Sequence, residues 1–168
     1  MQERSWQTLA IPNQQGLNLA ALYYAAPDRP KPTLIICHGF TGSKEGGGRV
    51  LEMSEYLAAE LDLDCLALDF AGHGQSQGSF QDMNLSSQIQ DLDSLVGWCL
   101  KQGAPYVLTM GRSFGGCTVL CQAARDRRVR AVCSWAAPAD PYSLLQGFVM
   151  QEISSSGLVK LGSAESGE

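Results

Sequence analysis

Four short apolar runs, Thr33 to Cys37, Cys65 to Leu68, Val107 to Met110 and Val129 to Trp135, alternate with stretches whose apolar residues recur at helical spacing. Apolar runs this short fit strands buried on both faces, the condition of a parallel sheet. Parallel neighbours need long crossovers, and the intervening stretches supply them. Val50, Met53, Leu57 and Leu61 form one buried stripe, and Leu85, Ile89, Leu92, Val96 and Cys99 form another. A third helix is predicted from about Phe114 to Arg125, with Val119, Leu120, Ala123 and Ala124 facing the sheet. Right-handed crossovers place these helices on its two faces. The fold class is therefore α/β.

Upstream, Trp6 to Ile11 and Leu17 to Tyr24 flank the turn-rich Pro12-Asn13-Gln14-Gln15-Gly16 and read as an antiparallel hairpin. The breaker-rich Pro27-Asp28-Arg29-Pro30-Lys31-Pro32 links it to the parallel part. With 168 residues, 45% hydrophobic and 17% charged, residues 1–153 are long and apolar enough to share one core. Ser154 to Glu168, small and polar apart from three apolar residues, reads as a flexible tail.

The net charge of -5 gives no footprint for nucleic acid. Arg125, Arg127, Arg128 and Arg130 cluster, but in a short stretch that reads as a solvated helix-to-strand turn rather than a basic patch. No segment approaches the ~20 apolar residues of a membrane span, and Met1 to Ala10 lacks a signal-peptide core, so a cytoplasmic location is expected. Cys37, Cys65, Cys99, Cys117, Cys121 and Cys133 fall inside apolar runs and are expected to be reduced core thiols. Cys117 and Cys121 share helical spacing, yet no further ligand lies at metal-site spacing beside them. No metal or organic cofactor is implied.

Three motifs carry chemistry, and each directly follows a predicted strand. Gly111-Arg112-Ser113-Phe114-Gly115 lies between the run Val107 to Met110 and the third helix, the strand-turn-helix context that gives the G-x-S-x-G pattern its specificity. A serine there occupies a sharp turn, flanked by glycines because side chains would collide across it. The helix N-terminus behind it favours the anion formed in acyl transfer. The plainer reading is a helix-capping serine in a glycine-rich turn. His38-Gly39-Phe40-Thr41-Gly42 follows the first parallel strand, on the side of the sheet where loops form a ligand crevice. The N–H groups of Phe40 and Phe114 are candidate oxyanion-hole donors beside a Ser113 nucleophile. In Asp69-Phe70-Ala71-Gly72-His73-Gly74-Gln75-Ser76, Asp69 and Ser76 are suited to satisfying loop backbone donors, so its role reads as structural, with His73 as catalytic base the sharper alternative.

These three motifs, in this order and spacing, resemble the α/β-hydrolase superfamily over about Leu17 to Tyr142. More narrowly, the His38 loop and the later Gly78-Ser79-Phe80-Gln81-Asp82-Met83 resemble bacterial cinnamoyl and feruloyl esterase-like and serine aminopeptidase-like hydrolases. The resemblance implies hydrolysis of a small-molecule ester, or of an amide or thioester, through an acyl-serine.

The chain departs from the family at the base. The family order is Ser, then Asp or Glu, then His, and no histidine follows Ser113. His38 and His73 belong to loops that do not supply the base in the family, although His38 acting across neighbouring strands is a further reading. Asp140, before Pro141, is kept as a candidate acid, second to a loop-capping role. The expectation is an N-terminal portion or truncated form of the hydrolase core, lacking the last strands. Two outcomes stay open, a serine hydrolase and a non-catalytic module that binds through the same crevice. Val129 to Trp135 then becomes an exposed apolar edge, through which self-association is expected.

Overall fold

A computed structural model of the protein describes residues 4–27, 30–144 and 146. The proposed tail, 154–168, lies outside the described residues. The hairpin β1 (Ser5–Pro12) and β2 (Asn18–Ala25) is followed by β3 (Thr33–Cys37), α1 (Arg49–Leu61), β4 (Asp64–Leu68), α2 (Leu85–Lys101), β5 (Val107–Arg112), α3 (Phe114–Ala123) and β6 (Val129–Trp135). They build one six-stranded sheet in the order β1-β2-β4-β3-β5-β6. β1 and β2 pair antiparallel, and β2 joins β4 antiparallel. From β4 through β3 and β5 to β6 every pairing is parallel, as the four apolar runs predict.

The pleat divides the core in two. Ile35 and Cys37 of β3, with Leu66 and Leu68 of β4, turn toward Leu92, Leu95 and Val96 of α2 and Val119 of α3. Leu34 and Ile36, with Cys65 and Ala67, turn toward Val50, Met53, Leu57 and Ala58 of α1. Period-2 alternation on doubly covered strands thus explains why every residue of β3 and β4 is buried. α2 starts at a capping box: Ser87 N–H donates to Asn84 Oδ1 at 2.9 Å and Asn84 N–H to Ser87 Oγ at 3.0 Å.

α3 corrects the sequence reading. It ends at Ala123, with Leu120 half exposed and Ala124 exposed. Val119 is buried as expected, and the buried side of the helix is completed by Phe114, Cys117, Thr118 and Gln122. Thr118 Oγ1 donates to Gln88 Oε1 at 2.8 Å and Gln122 Nε2 to Asp93 Oδ1 at 2.9 Å, so polar bonds to α2 fill the face that apolarity assigned to Leu120 and Ala124. β6 is exposed along much of its length, as expected of an edge: it is one of the two outer strands of the sheet, and Trp135 keeps 58% of its surface accessible. Cys121 and Cys133 are exposed for these same two reasons, not core thiols, while Cys37, Cys65, Cys99 and Cys117 are buried.

Candidate active site

β5 runs into Ser113, and α3 begins at the next residue. Ser113 sits at φ 54° and ψ -122°, a conformation costly for any residue with a side chain. Close approach holds it there. A Cβ on Gly111 would run into the Gly115 carbonyl, and one on Gly115 into the backbone carbonyl of His38, so both glycines are required where the turn crosses β3. Ser113 N–H donates to the Trp135 carbonyl at 2.9 Å, fastening the turn to the end of β6. The Ser113 carbonyl accepts from Gly116 N–H at 2.8 Å and from Cys117 N–H at 3.2 Å, starting α3. The Phe114 N–H, in the first turn, has no carbonyl four residues back within its helix and stays available.

The loop after β3 reaches the same place. A Cβ on Gly39 would lie 3.3 Å from Ser113 Cβ and 3.8 Å from its Oγ, so the backbone of this loop passes directly over the serine. The Phe40 ring lies 6.3 Å from that of Phe114 and 5.5 Å from that of Phe80. Ser113, Phe40 and Phe114 are thus brought together.

The two histidines are turned into the loops. His38 Nδ1 lies 2.7 Å from the Gly39 carbonyl, and its Nε2 accepts from Phe70 N–H at 3.2 Å. These partners fit only the neutral imidazole protonated on Nδ1. Burial pushes the His38 pKa down to about 4, which keeps the ring neutral. His73 Nε2 lies 2.8 Å from the Phe40 carbonyl and its Nδ1 3.2 Å from that of Ala71. On this geometry neither ring has a nitrogen directed to Ser113.

Asp69, fully buried, accepts from Lys44 N–H at 2.7 Å, Lys44 Nζ at 2.8 Å and Gln75 N–H at 3.0 Å. Ser76 Oγ donates to the Asp69 carbonyl at 2.6 Å and accepts from Ala20 N–H at 2.8 Å. Lys44 keeps its charge: burial works against it, but the bonds to Asp69 and Glu45 outweigh that cost and raise its pKa. Sequence reasoning passed over Lys44, because a single lysine in a polar loop carries no pattern. It also passed over Asp91, which accepts from Asn13 Nδ2 at 2.7 Å and Ala71 N–H at 2.9 Å and so ties the hairpin turn to the third motif.

Asp140 stands at the surface. Its Oδ1 accepts from Ser143 N–H at 3.1 Å and its Oδ2 from Ser143 Oγ at 2.6 Å, bonds that lower its pKa. This is a capping arrangement in which both carboxylate oxygens are engaged locally.

A cavity of about 570 Å³ opens beside the turn, on the α1 side of the strand ends, with Ile36, Gly39, Val50, Met53, Met110 and Trp135 among its walls. Among the described residues, no three His, Cys, Asp or Glu side chains gather as a metal site would require. No described helix is long and apolar enough to cross a membrane.

Comparison with known proteins places this architecture. A family model described as the alpha/beta hydrolase fold matches residues 32–157. The quorum-quenching protein AidA of Acinetobacter baumannii is 30% identical over 128 residues, covering 74% of this chain and 41% of AidA. An uncharacterized Escherichia coli protein of the traX-finO intergenic region is 30% identical over 119 residues, covering 69% of this chain and 41% of that protein. Among solved structures, Est1E of Butyrivibrio proteoclasticus, with ferulic acid bound, superposes with a TM-score of 0.65 at 30% identity, covering 73% of this chain and 50% of Est1E. The esterase Pf2001 of Pyrococcus furiosus reaches a TM-score of 0.75 at 20% identity over 94% of this chain and 60% of its own, a likeness of fold. The chain thus spans about 41% of the length of the curated relatives it matches. With a family match across most of its length and the sheet, turn and loops arranged as described, the chain belongs to the alpha/beta hydrolase fold family.

Proposed function

We propose that this chain carries the nucleophile and oxyanion hole of a serine hydrolase acting on carboxylic esters. The observation that supports this most is the strained Ser113, held at φ 54° with the Gly39 backbone against its side chain. Strain of this kind persists only where surrounding structure enforces it, and here it presents a hydroxyl at the end of the sheet where two loops meet. In the proposed reaction Ser113 Oγ attacks the acyl carbon. The carbonyl oxygen takes up negative charge and accepts from the N–H groups of Phe40 and Phe114, while the alcohol leaves and water later releases the acid. Each donor is worth about 3 kcal/mol of barrier. Est1E, solved with ferulic acid, makes aryl-acyl esters the first substrates to test.

A serine hydroxyl needs a base, and His38 and His73 are both engaged with the loop backbone. The base in this proposal is an imidazole from outside these residues. The same fact favours a second reading, a hydrolase-like module that binds a ligand without turning it over. A fluorophosphonate probe separates the two when applied to the product of the longest reading frame that contains this sequence. Labelling that disappears in Ser113→Ala is the expected result. Absence of labelling rejects the hydrolase and leaves the binding module. The buried thiols fit a reducing compartment, and we place the protein in the cytoplasm on that ground.

A further inference from the structure

The Phe40 amide does not set its own direction. In a trans peptide the C=O and N–H point opposite ways, so whatever holds the Gly39 carbonyl aims the Phe40 N–H. His38 Nδ1–H donates to that carbonyl at 2.7 Å, and Gly42 N–H joins it at 3.1 Å. The following peptide is held from the other motif. Both His73 nitrogens face carbonyl oxygens, which only accept, and the shorter contact, 2.8 Å from Nε2 to the Phe40 carbonyl against 3.2 Å from Nδ1 to that of Ala71, assigns the proton to Nε2, which donates to Phe40. Both carbonyls flanking the Phe40 amide are therefore bonded to buried imidazoles.

The rings brace one another. His73 packs 4.9 Å from His38 and 5.0 Å from Phe80, and Phe80 packs 5.5 Å from Phe40. Asp69, four residues before His73, grips the far end of the same loop through Lys44 N–H and Nζ. The 69–76 segment thus contacts the 38–44 loop at both ends of the Phe40 peptide, and none of these contacts reaches Ser113 itself.

We propose that His73 is a positioning residue for the oxyanion hole, fixing the backbone around Phe40 over Ser113 through its Nε2–H. The proposal rests on the serine-hydrolase reading above, in which Phe40 is a donor. A donor displaced by about 1 Å costs on the order of a hundredfold in rate, so a residue that touches no substrate can still govern the chemistry.

The test uses the full chain and two variants. His73→Phe keeps the ring packing and removes the donor, whereas His73→Gln returns an N–H at similar reach. Fluorophosphonate labelling of Ser113 is followed across probe concentrations, and amide hydrogen exchange is read at Gly42 and at Leu66 in β4. In His73→Phe the maximal labelling rate is expected to fall roughly 10- to 100-fold with the half-saturating probe concentration unchanged. Exchange at Gly42 should rise by roughly tenfold or more while Leu66 stays at its wild-type rate. His73→Gln should recover most of both effects. Wild-type labelling in His73→Phe overturns the proposal, as does exchange at Leu66 rising in step with Gly42, which marks a general stabilising role. If the unaltered chain does not label, the hydrolase reading fails separately, and exchange alone decides: an unchanged Gly42 in His73→Phe then overturns the positioning role.

Discussion

At Ser113 reactivity and stability are set against each other. Its φ of 54° is reached easily only by glycine, and the strain is of order 1 to 3 kcal/mol. Ser113→Gly should therefore raise unfolding free energy by about 1 kcal/mol, where Ser113→Ala, which keeps a Cβ, should not. Urea denaturation of the three proteins checks this, and a less stable Ser113→Gly would show that the turn is relaxed. His38 makes a second prediction. Its folded pKa, about 4, lies below its unfolded value of 6.5, so the unfolded chain binds the proton first as pH falls. Stability from this residue is full above about pH 6.5 and is lost on acidification toward pH 4, by up to about 3 kcal/mol. Unfolding curves between those pH values should flatten in His38→Gln. The serine was visible in the sequence because glycines, strand and helix all point to one turn. The hydrogen-bond partners of His38 and His73 were not, since a ring's direction depends on a second loop distant in the chain.

Among the elements, β3, β4 and β5 were legible because strands covered on both faces are mostly apolar. α3 was not legible in its facing. Its buried side carries Thr118 and Gln122, whose partners Gln88 and Asp93 lie on α2, and an apolarity count has no means of seeing a polar bond across two helices. The stripe beginning at Leu85 located the start of α2, but its cap escaped notice: the capping box uses Asn84 and Ser87, without the acidic residue that usually signals one. Asn84→Ala should lower stability by about 1 kcal/mol, as read from the thermal midpoint, with Ser113 labelling unaffected.

Across the whole molecule the sheet ends in two edge strands, β1 and β6, each exposed along much of its length, and β6 carries the exposed Trp135. An uncovered edge with apolar side chains pairs readily with another chain. Size-exclusion chromatography over a range of concentrations should show this chain associating, and a monomer at every concentration would count against that expectation. Composition alone reads β6 as a doubly buried strand, because apolar residues report what a strand is suited to and not what lies beside it; its exposure as an edge followed instead from the expectation that no further strand covers it.

The bond from Ser113 N–H to the Trp135 carbonyl ties these scales together. A strained residue takes its footing from an exposed edge strand. A neighbour docking on that margin would lie against the strand that steadies the turn through this amide, the β5 ladder and Ser134 Oγ on the Gly116 carbonyl together, so the rim of the sheet doubles as the footing of the turn.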